Sequence, residues 1–507
     1  MYRVLTRRGI LRVAGVAAGV AGATLLAACG GTVGTSTASS AAAPTTGAAP
    51  SSAASSLAST SAAGASAAAT SATLSSALSV SSSSSPAAST RAAPASSASS
   101  AAGQKGATLT YMSPDTQGRH EVEQAIYNDF TKAQPGVAVE IVSGGTSWTT
   151  LTDKLTAMVA GGTPPDFYQN ATGNWLSIQS VLVELSGRLA QAKLDPQKIF
   201  APQAIQIFTD RAGKVWALPL VGISQDALAY NQDLFDSAGL PHPPVEPSDQ
   251  SWTMELFLEY AQRLTKPDQS QFGFGGTVGG ADTGGDERPT YFGQGPWDDQ
   301  AQKALMDQPL AAQGLQFFKD LRDRYKVAPT AEQIKSIGAH GDVFTSGRIG
   351  MQVIYGYVLK QSFKWGLAAL PHSSPQNVSG RQFAQPLYTV QTPRTDLTWQ
   401  LMQWLLVPAN AARFPPSGNY AVSPVVGASD LAMQTYQHQV GVDPQAFLLM
   451  SQHSHVSSWG MPKYPGWNKV SDWLTQNFPA FDQGKQTAAD YGKAASAYID
   501  ANLLQAT

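Results

Sequence analysis

The apolar residues between Ala107 and Tyr168 change periodicity four times, and this pattern restricts the fold more than any other part of the sequence. Strand-like alternation, helical spacing, alternation, helical spacing and a short apolar run follow one another, with turns at Pro135-Gly136 and Gly161-Gly162. Strands that alternate with helices require right-handed crossovers and form a largely parallel sheet. We therefore predict an α/β fold.

Ligands of parallel sheets bind beyond the carboxyl ends of the strands. Two polar segments lie at this edge: Ser113–Asp115 follows the first predicted strand, and Gln169–Trp175 follows the third. Both segments carry side chains that can form hydrogen bonds. The candidate ligand contacts in the second segment are Asn170, Thr172, Asn174 and Trp175.

Residues 1–29 have the pattern of an export signal. Four arginines precede a weakly apolar stretch of Ala, Gly and Val that is short for a membrane-spanning helix. The segment Thr6–Leu11 resembles a twin-arginine signal, although the general export route stays open. Leu26–Cys29 resembles the lipobox of bacterial lipoproteins, which implies lipidation of Cys29 and cleavage before it. Cys29 is the only cysteine, so the chain has no internal disulfide.

The next segment, residues 30–106, consists almost entirely of Ser, Ala, Thr, Gly and Pro and has no aromatic residue. Such a composition buries too little apolar surface to offset the entropy of ordering. We predict a disordered tether that follows the lipid anchor. A flexible chain of this length has a root-mean-square reach of about 50 Å.

Charge and hydropathy limit what residues 107–507 can do. Once the six basic residues of the first 106 are set aside, 27 basic and 35 acidic residues remain, a net charge of −8. No basic patch indicates nucleic-acid binding, and no run of 18 apolar residues indicates a further membrane span. We expect a soluble body.

Seven segments of this body form one ordered set. The longest is the run from Trp216 to Leu240, WALPLVGISQDALAYNQDLFDSAGL. The other six are FTKAQPGVAV (130–139), AGGTPPD (160–166), Ser251–Leu264, FTSGRIGM (344–351), WGLAALP (365–371) and GNYAVSP (418–424). In order and spacing this set resembles the extracellular solute-binding proteins of ABC sugar importers, the family that includes the maltodextrin-binding proteins, and the run 216–240 is the most specific match.

The resemblance implies a two-lobe, type II periplasmic-binding-protein fold with a cleft between the lobes. Residues 107–220 and 372–408 would form lobe 1, and residues 221–371 and 409–507 would form lobe 2. The chain would cross near Leu220–Ser224 and again near Leu370–Ser373. Such a protein would be a monomer that gives its ligand to the permease subunits of an ABC importer. It would lie outside the cytoplasmic membrane, or in the periplasm if the cell has an outer membrane.

A carbohydrate site needs aromatic rings for the apolar C–H faces of the sugar and polar groups for its hydroxyls. Alignment with the family indicates aromatic candidates beyond the first lobe: Tyr355, Tyr357, Trp459, Tyr464 and Trp467. Trp404 and Trp473 recur with other apolar residues at helical spacing and are interpreted as packing residues. The ligand class stays open among disaccharides, oligosaccharides, polyols, glycerol phosphodiesters and peptides.

Motifs for other functions are few. The chain has no Gly-x-Ser-x-Gly turn and no Gly-x-x-x-x-Gly-Lys-Ser/Thr loop, so we predict a binding protein without catalysis or cofactor. His438, His453 and His455 have no recognisable fourth ligand and are interpreted as surface residues, not as a metal site. The acidic segment Gly279–Asp299 is interpreted as a solvated loop. Two alternatives stay open: a sensor that presents its ligand to a membrane receptor, and a secreted carbohydrate-active enzyme.

Overall fold

The structure is a computed structural model, and it describes the chain in eleven stretches between residues 106 and 504. These are 106–115, 118–170, 175–277, 285–298, 303–337, 343–356, 360–374, 378–418, 420–456, 464 and 466–504. They belong to one unit, Ser97–Thr507. The predicted signal, Cys29 and residues 30–105 of the predicted tether lie outside the described stretches. No helix within those stretches is long and apolar enough to cross a membrane.

Nine strands form the sheet. They are β1 (Ala107–Ser113), β2 (Val137–Ser143), β3 (Phe167–Tyr168), β4 (Leu218–Asn231), β5 (Phe272–Thr277), β6 (Ile349–Tyr355), β7 (Trp365–Ala368), β8 (Gly380–Thr389) and β9 (Ser454–Val456).

Fifteen α-helices accompany these strands in the described residues. They are α1 (Arg119–Ala133), α2 (Trp148–Ala160), α3 (Ser186–Gln191), α4 (Pro196–Ile199), α5 (Pro202–Gln206), α6 (Gln232–Ala238), α7 (Met254–Leu264), α8 (Pro309–Asp323), α9 (Ala331–Ile337), α10 (Thr395–Leu405), α11 (Pro408–Ala411), α12 (Ser429–Val440), α13 (Gln445–Met450), α14 (Trp467–Asp482) and α15 (Ala488–Ile499). Short 3-10 turns lie at Trp175–Val181, Arg288–Phe292, Val343–Ser346, Pro415–Gly418 and Ser451–His453, and a π-turn lies at Asp500–Leu504.

Polar side chains cap the amino termini of several of these helices. Ser147 and Thr150 form a reciprocal capping box at the start of α2, and Thr253 and Thr487 cap α7 and α15. Asn231 accepts a hydrogen bond from the Leu234 N–H at 3.2 Å and so begins α6 directly after β4. Asn231 therefore has a structural role at the end of β4.

The sheet order is β2-β1-β3-β8-β4-β6-β5, with β7 paired to β4 and β9 paired to β8. The first three strands are parallel, which confirms the predicted strand–helix–strand–helix–strand unit. Strand β8 then runs antiparallel to β3 and to β4, while the short β9 pairs with β8 in parallel. At the other end of the sheet, β5 is again parallel to β6.

Strands β4 and β8 connect the two ends of the sheet, and every residue of both is buried. Up to Gln225, β4 pairs with β8, and from Asp226 onward it pairs with β6 and β7. The β4–β8 register shifts between Pro219 and Gly222, next to the position where Pro219 faces Pro386. Because proline has no N–H to donate, this part of the ladder has fewer hydrogen bonds.

The buried apolar side chains form five clusters, named here by one element each. The β1 cluster and the β3 cluster surround the parallel strands and include Tyr111 and Tyr168, respectively. The α7 cluster and the β6 cluster contain Trp252 and Ile349. The α14 cluster contains Tyr464 and the apolar faces of α14 and α15. The β1 and β3 clusters are called the first group here, and the α7, β6 and α14 clusters the second group. Strand β4 contributes to the β1, α7 and β6 clusters, so it passes from the first group to the second.

Packing gives two details of the chain path. His372 still contacts the second group of clusters, since its N–H donates to the Trp252 carbonyl and its ring lies 2.8 Å from the Pro247 carbonyl. These contacts keep His372 beside residues 247–252. Residues 411–432 contribute Phe414, Tyr420 and other side chains to the β1 cluster.

Gly273 is required by the contact between β5 and α7. A Cβ atom built on it would overlap the backbone of Ala261 on α7. We expect Gly273→Ala to lower the free energy of unfolding by about 2 kcal/mol or more, because α7 has to move away from the sheet. Denaturant unfolding of the purified body measures this loss.

Gly187 is the matched control for this substitution. It is exposed on α3, and a Cβ atom built there meets nothing within 4 Å. Gly187→Ala should keep or raise stability, because alanine is the better helix former. Equal stability of the Gly273→Ala variant and the parent would show that α7 and β5 are less tightly packed than described.

Candidate functional site

The turn after β1 is held by a buried charged pair. Glu123 on α1 accepts hydrogen bonds from the Ser113 hydroxyl at 2.8 Å and from Nε of Arg119 at 2.7 Å. Burial alone would lower the pKa of Arg119, but the neighbouring Glu123 carboxylate and Tyr111 outweigh it and raise that pKa. The guanidinium is therefore charged, and this pair fixes the start of α1 at the carboxyl edge of the sheet.

Asn170 lies directly after β3, where the sequence analysis places it. Its side chain is 8% exposed, and its amide donates a hydrogen bond to the Thr152 hydroxyl on α2 at 3.2 Å. The side-chain amide of the preceding residue, Gln169, donates to the side-chain oxygen Oε1 of Gln385 on β8, also at 3.2 Å. These two contacts join the third strand to α2 and to β8. The candidates Thr172 and Asn174 lie outside the described residues.

Trp175 supports a second tryptophan. It is only 2% exposed, and its ring stacks on Trp216 with centroids 5.9 Å apart and planes inclined by 27°. Trp216 is half-buried, and its indole N–H donates to the Asp210 carboxylate at 2.8 Å. Of the two rings, Trp216 is therefore the more accessible. Trp216 begins the WALPL match but is not among the predicted site residues. Its position directly before the strand β4 is the feature that could have identified it.

On the other side, Tyr464 and Trp467 belong to the α14 cluster. Trp467 is half-buried at the start of α14 and packs edge-to-face against Trp297, with ring centroids 5.8 Å apart. Tyr464 is 7% exposed. Burial raises the pKa of Tyr464, and Arg211 opposes this shift, so its phenol is neutral near neutral pH. The two predicted candidates share one cluster with Trp297.

One contact brings the two aromatic sets together. The guanidinium carbon of Arg211 lies 5.0 Å from the centre of the Tyr464 ring. Arg211 is in the turn that ends just before Trp216, and this turn packs on the β3 cluster through Phe208 and Trp216. This contact joins the turn beside the Trp175–Trp216 stack to the cluster that contains Tyr464 and Trp467.

The remaining predicted aromatic residues give less information. The backbone of Tyr355 ends β6 and pairs with Asp226 on β4, which places this residue where the second part of the sheet meets the crossing strand. Tyr357 and Trp459 lie outside the described residues. Trp404 and Trp473 are confirmed as packing residues, since Trp404 packs edge-to-face on Phe130 and Trp473 stacks on Tyr498.

A buried ion pair lies at the point where β4 changes partners. Asp226 accepts hydrogen bonds from the backbone N–H and the side-chain Nε of Arg381 on β8, at 2.7 and 2.9 Å. The Tyr291 hydroxyl donates to the same carboxylate at 3.0 Å. Burial alone would lower the pKa of Arg381, but Asp226, Tyr291 and Glu287 together raise it well above its usual range. Arg381 is thus a permanent buried cation beside the crossing.

The interpretation of residues 279–299 as a solvated acidic loop is wrong in its central part. Asp286 is 0% exposed and Glu287 is 1% exposed. Glu287 is near enough to Arg381 to raise the pKa of that guanidinium. The physical reason is that the buried cation favours a buried carboxylate beside it. Asp298 is half-buried, and Asp282 and Asp299 lie outside the described residues.

The predicted surface position of the histidines is confirmed for two of the three. His438 and His453 are exposed, whereas His455 is half-buried on β9. Within the described stretches of the chain, no group of three or more His, Cys, Asp or Glu side chains is arranged to hold a metal ion.

Comparison with known proteins identifies one family across most of the body. A family model described as bacterial extracellular solute-binding protein matches residues 113–412. A protein of Brucella abortus (strain 2308), whose name describes it as a binding protein, is 23% identical over 401 residues, which cover 74% of this chain and 88% of the relative.

Solved structures show the same two-lobe fold. An ABC substrate-binding protein of Listeria monocytogenes in complex with cycloalternan aligns with a TM-score of 0.64 and 19% identity, over 78% of this chain and 99% of the other. The cyclic alpha-maltosyl-1,6-maltose binding protein of Arthrobacter globiformis aligns with a TM-score of 0.63 and 17% identity, over 79% and 99%. A ribitol complex of a solute-binding protein from Agrobacterium radiobacter K84 aligns at 0.58 and 20%, over 78% and 99%. The predicted α/β, two-lobe fold is confirmed.

The pair of Asp226 and Arg381 gives a stability prediction. We expect Asp226→Asn to lower the free energy of unfolding by about 3 kcal/mol, because it removes the main counter-charge of a buried guanidinium. Denaturant unfolding at neutral pH checks this value.

The control is an exposed ion pair of the same type. Arg188 and Asp396 are 2.7 Å apart, and the Asp396 side chain is 87% exposed. Asp396→Asn should change stability little, because water screens this pair. A loss of similar size in both variants would contradict the role given to burial.

Proposed function

The chain belongs to the family of bacterial extracellular solute-binding proteins, and from this premise we propose that it captures a carbohydrate between its two lobes and delivers it to an ABC importer. Relatives of the same fold that are described as complexes with cycloalternan and with ribitol support a carbohydrate or polyol as the ligand. The proposal includes no catalytic step and no cofactor. The chain would act as a monomer.

The observation that carries this proposal is the contact of Arg211 with Tyr464, which links two clusters that each hold a half-buried tryptophan. Trp216 on one side and Trp467 on the other are half-buried, and Arg211 and Tyr464 join the two sides. A sugar presents apolar C–H faces that pack on aromatic rings. Two half-buried tryptophans on opposite sides provide such surfaces for one ligand.

The polar part of the site would come from the end of β3 and the loop that follows it. Asn170 lies at this edge, and the predicted contacts Thr172 and Asn174 follow it in sequence. Amide and hydroxyl groups suit ligand hydroxyls, because they both donate and accept hydrogen bonds. We propose these side chains as the hydrogen-bonding partners, with Tyr355, Tyr357 and Trp459 as further lining residues.

Capture would proceed by closure of the lobes about β4 and β8. A ligand that touches both lobes has a higher affinity for the closed arrangement and so shifts the population toward it. We propose the lobe ranges predicted from sequence with two changes. The return crossing moves from residues 370–373 into β8, because His372 still bonds to the carbonyls of Trp252 and Pro247. The chain around Phe414 and Val425 joins lobe 1, because both side chains pack in the β1 cluster.

We propose that the protein is a lipoprotein anchored through Cys29 on the outer side of the cytoplasmic membrane. The sequence Leu26-Ala27-Ala28-Cys29 and the charged start of the chain support this proposal. The extracellular family supports an extracellular or periplasmic location. A tether rich in Ser, Ala and Thr would let the body reach both its ligand and the importer.

We expect one class of sugar or polyol to raise the melting temperature of residues 107–507 in a saturable way, because a ligand that binds only the folded state stabilises it. The measurement is a thermal-shift screen of sugars, polyols, amino acids and peptides, followed by titration calorimetry. With that ligand, Trp216→Ala should weaken binding about tenfold or more, since it removes a platform held by Asp210.

Trp404→Phe is the matched control for this experiment, because Trp404 packs on Phe130 within the β1 cluster. It should leave the affinity unchanged. Equal affinity of the Trp216→Ala variant and the parent would exclude Trp216 from the site. A folded body that binds no sugar or polyol of the panel would count against a carbohydrate ligand.

The anchor is tested separately from the ligand. We expect Cys29→Ser to move the expressed protein from the membrane fraction to the soluble or secreted fraction, because no thiol remains to be lipidated. Fractionation and mass spectrometry of the amino terminus measure this change. Membrane association of the Cys29→Ser variant equal to that of the parent would contradict lipid anchoring at this residue.

A further inference from the structure

Several hydrogen bonds fix the turn that carries Arg211. The backbone of Thr209 pairs with that of Val215, and the Asp210 carboxylate accepts hydrogen bonds from the N–H groups of Ala212 and Lys214, both at 2.9 Å. The other oxygen of Asp210 accepts the Trp216 indole N–H at 2.8 Å. The backbone that presents Arg211 is therefore held in place by the tryptophan stack beneath it.

The partner of Arg211 is fixed as well. Tyr464 is 7% exposed within the α14 cluster, and the next residues begin α14 through Gly466, which adopts a φ of 96°. A Cβ atom at Gly466 would collide with the Asn502 carbonyl, so this turn lies tightly against the end of the chain. The Tyr464 ring is thus held at a defined position on the second side of the site.

The contact between these two residues joins two different clusters. Phe208 and Trp216, which flank the Arg211 turn, pack in the β3 cluster, whereas Tyr464 packs in the α14 cluster, and the two clusters share no residue. The distance of 5.0 Å from the guanidinium carbon to the ring centre is within the range of a cation–π interaction. A rotation of the proposed lobes about β4 and β8 would change this distance.

We propose that Arg211 is a positioning residue that holds the two lobes together through Tyr464 and thereby slows release of the ligand. The effect on the ligand rests on the proposed function, but the effect on the distance between the lobes does not. The interaction requires a cation at residue 211 and an aromatic ring at residue 464. Substitutions that keep these groups should therefore differ in effect from those that remove them. A cation–π contact of this kind corresponds to about a threefold to tenfold shift in the closing equilibrium.

The test measures the distance between the lobes in the ligand-free protein. Spin labels are attached at Asp153→Cys on α2 and Ala489→Cys on α15, two exposed positions, in a Cys29→Ser background. Electron–electron double resonance then gives the distance distribution. We expect Arg211→Ala and Tyr464→Leu to shift the population to longer distances and Arg211→Lys to keep most of the parent distribution. Tyr464→Phe should lie between them, because it keeps the ring but loses the hydroxyl to which Arg211 also forms a hydrogen bond.

Lys214→Ala is the matched control, because it removes a positive charge from the same exposed turn without touching the Tyr464 contact. It should reproduce the parent distribution. A parent-like distribution for Arg211→Ala overturns the proposal, whether or not a ligand is known. A shift of equal size in Lys214→Ala also overturns it, because the effect would then come from charge alone.

The second readout uses the ligand found in the thermal-shift screen. Arg211→Ala should raise the dissociation rate about threefold to tenfold and change the association rate less than about twofold. Weaker binding with an unchanged distance distribution would make Arg211 a direct ligand contact and overturn the positioning role. If no sugar or polyol binds, the proposed function fails while the distance measurement still decides the role of Arg211.

Discussion

The antiparallel pair of β4 and β8 is the contact on which the rest of the structure depends. Every residue of both strands is buried, and β4 passes from the parallel part of the sheet to the part formed with β6 and β7. Because β4 pairs first with β8 and then with β6 and β7, its hydrogen bonds must hold both parts of the sheet and still allow the strand to bend between them. The register shift beside Pro219 and Pro386 gives the irregularity, and the buried bond of Asp226 to Arg381 fixes the next stretch.

The chain segments next to β4 and β9 carry the residues of the candidate site. The turn before β4 carries Asp210, Arg211 and Trp216, and the chain beyond β9, which pairs with β8, continues to Tyr464 and Trp467. One aromatic set therefore precedes β4 directly, and the other follows β9, which pairs with β8 at its first three residues. Motion about these strands would act directly on the distance between the rings, which is the geometry that ligand-driven closure requires.

The local parts of this architecture could be predicted because their signals are local. The first three strands, the two helices between them and the role of Asn231 follow from periodicity and from single capping side chains. Strand β8 has no such signal, since GRQFAQPLYT combines a charge, two amides and a proline, and only its partners make it a buried strand. Arg381 and Asp226 are 155 residues apart, so no local pattern reveals that each stabilises the other in the core. For the same reason Glu287 was expected in solvent.

The chemistry left for a ligand is mostly neutral. Asp210 is bonded to Trp216 and to two backbone N–H groups, and Glu123 is bonded to Arg119 and Ser113. The guanidinium of Arg211 lies over Tyr464. These charges already have partners within the protein, and an ionic ligand would have to break such contacts to use them. Aromatic faces and amide groups need no such exchange, so the geometry around Trp216 favours an uncharged, hydroxyl-rich solute over a charged one.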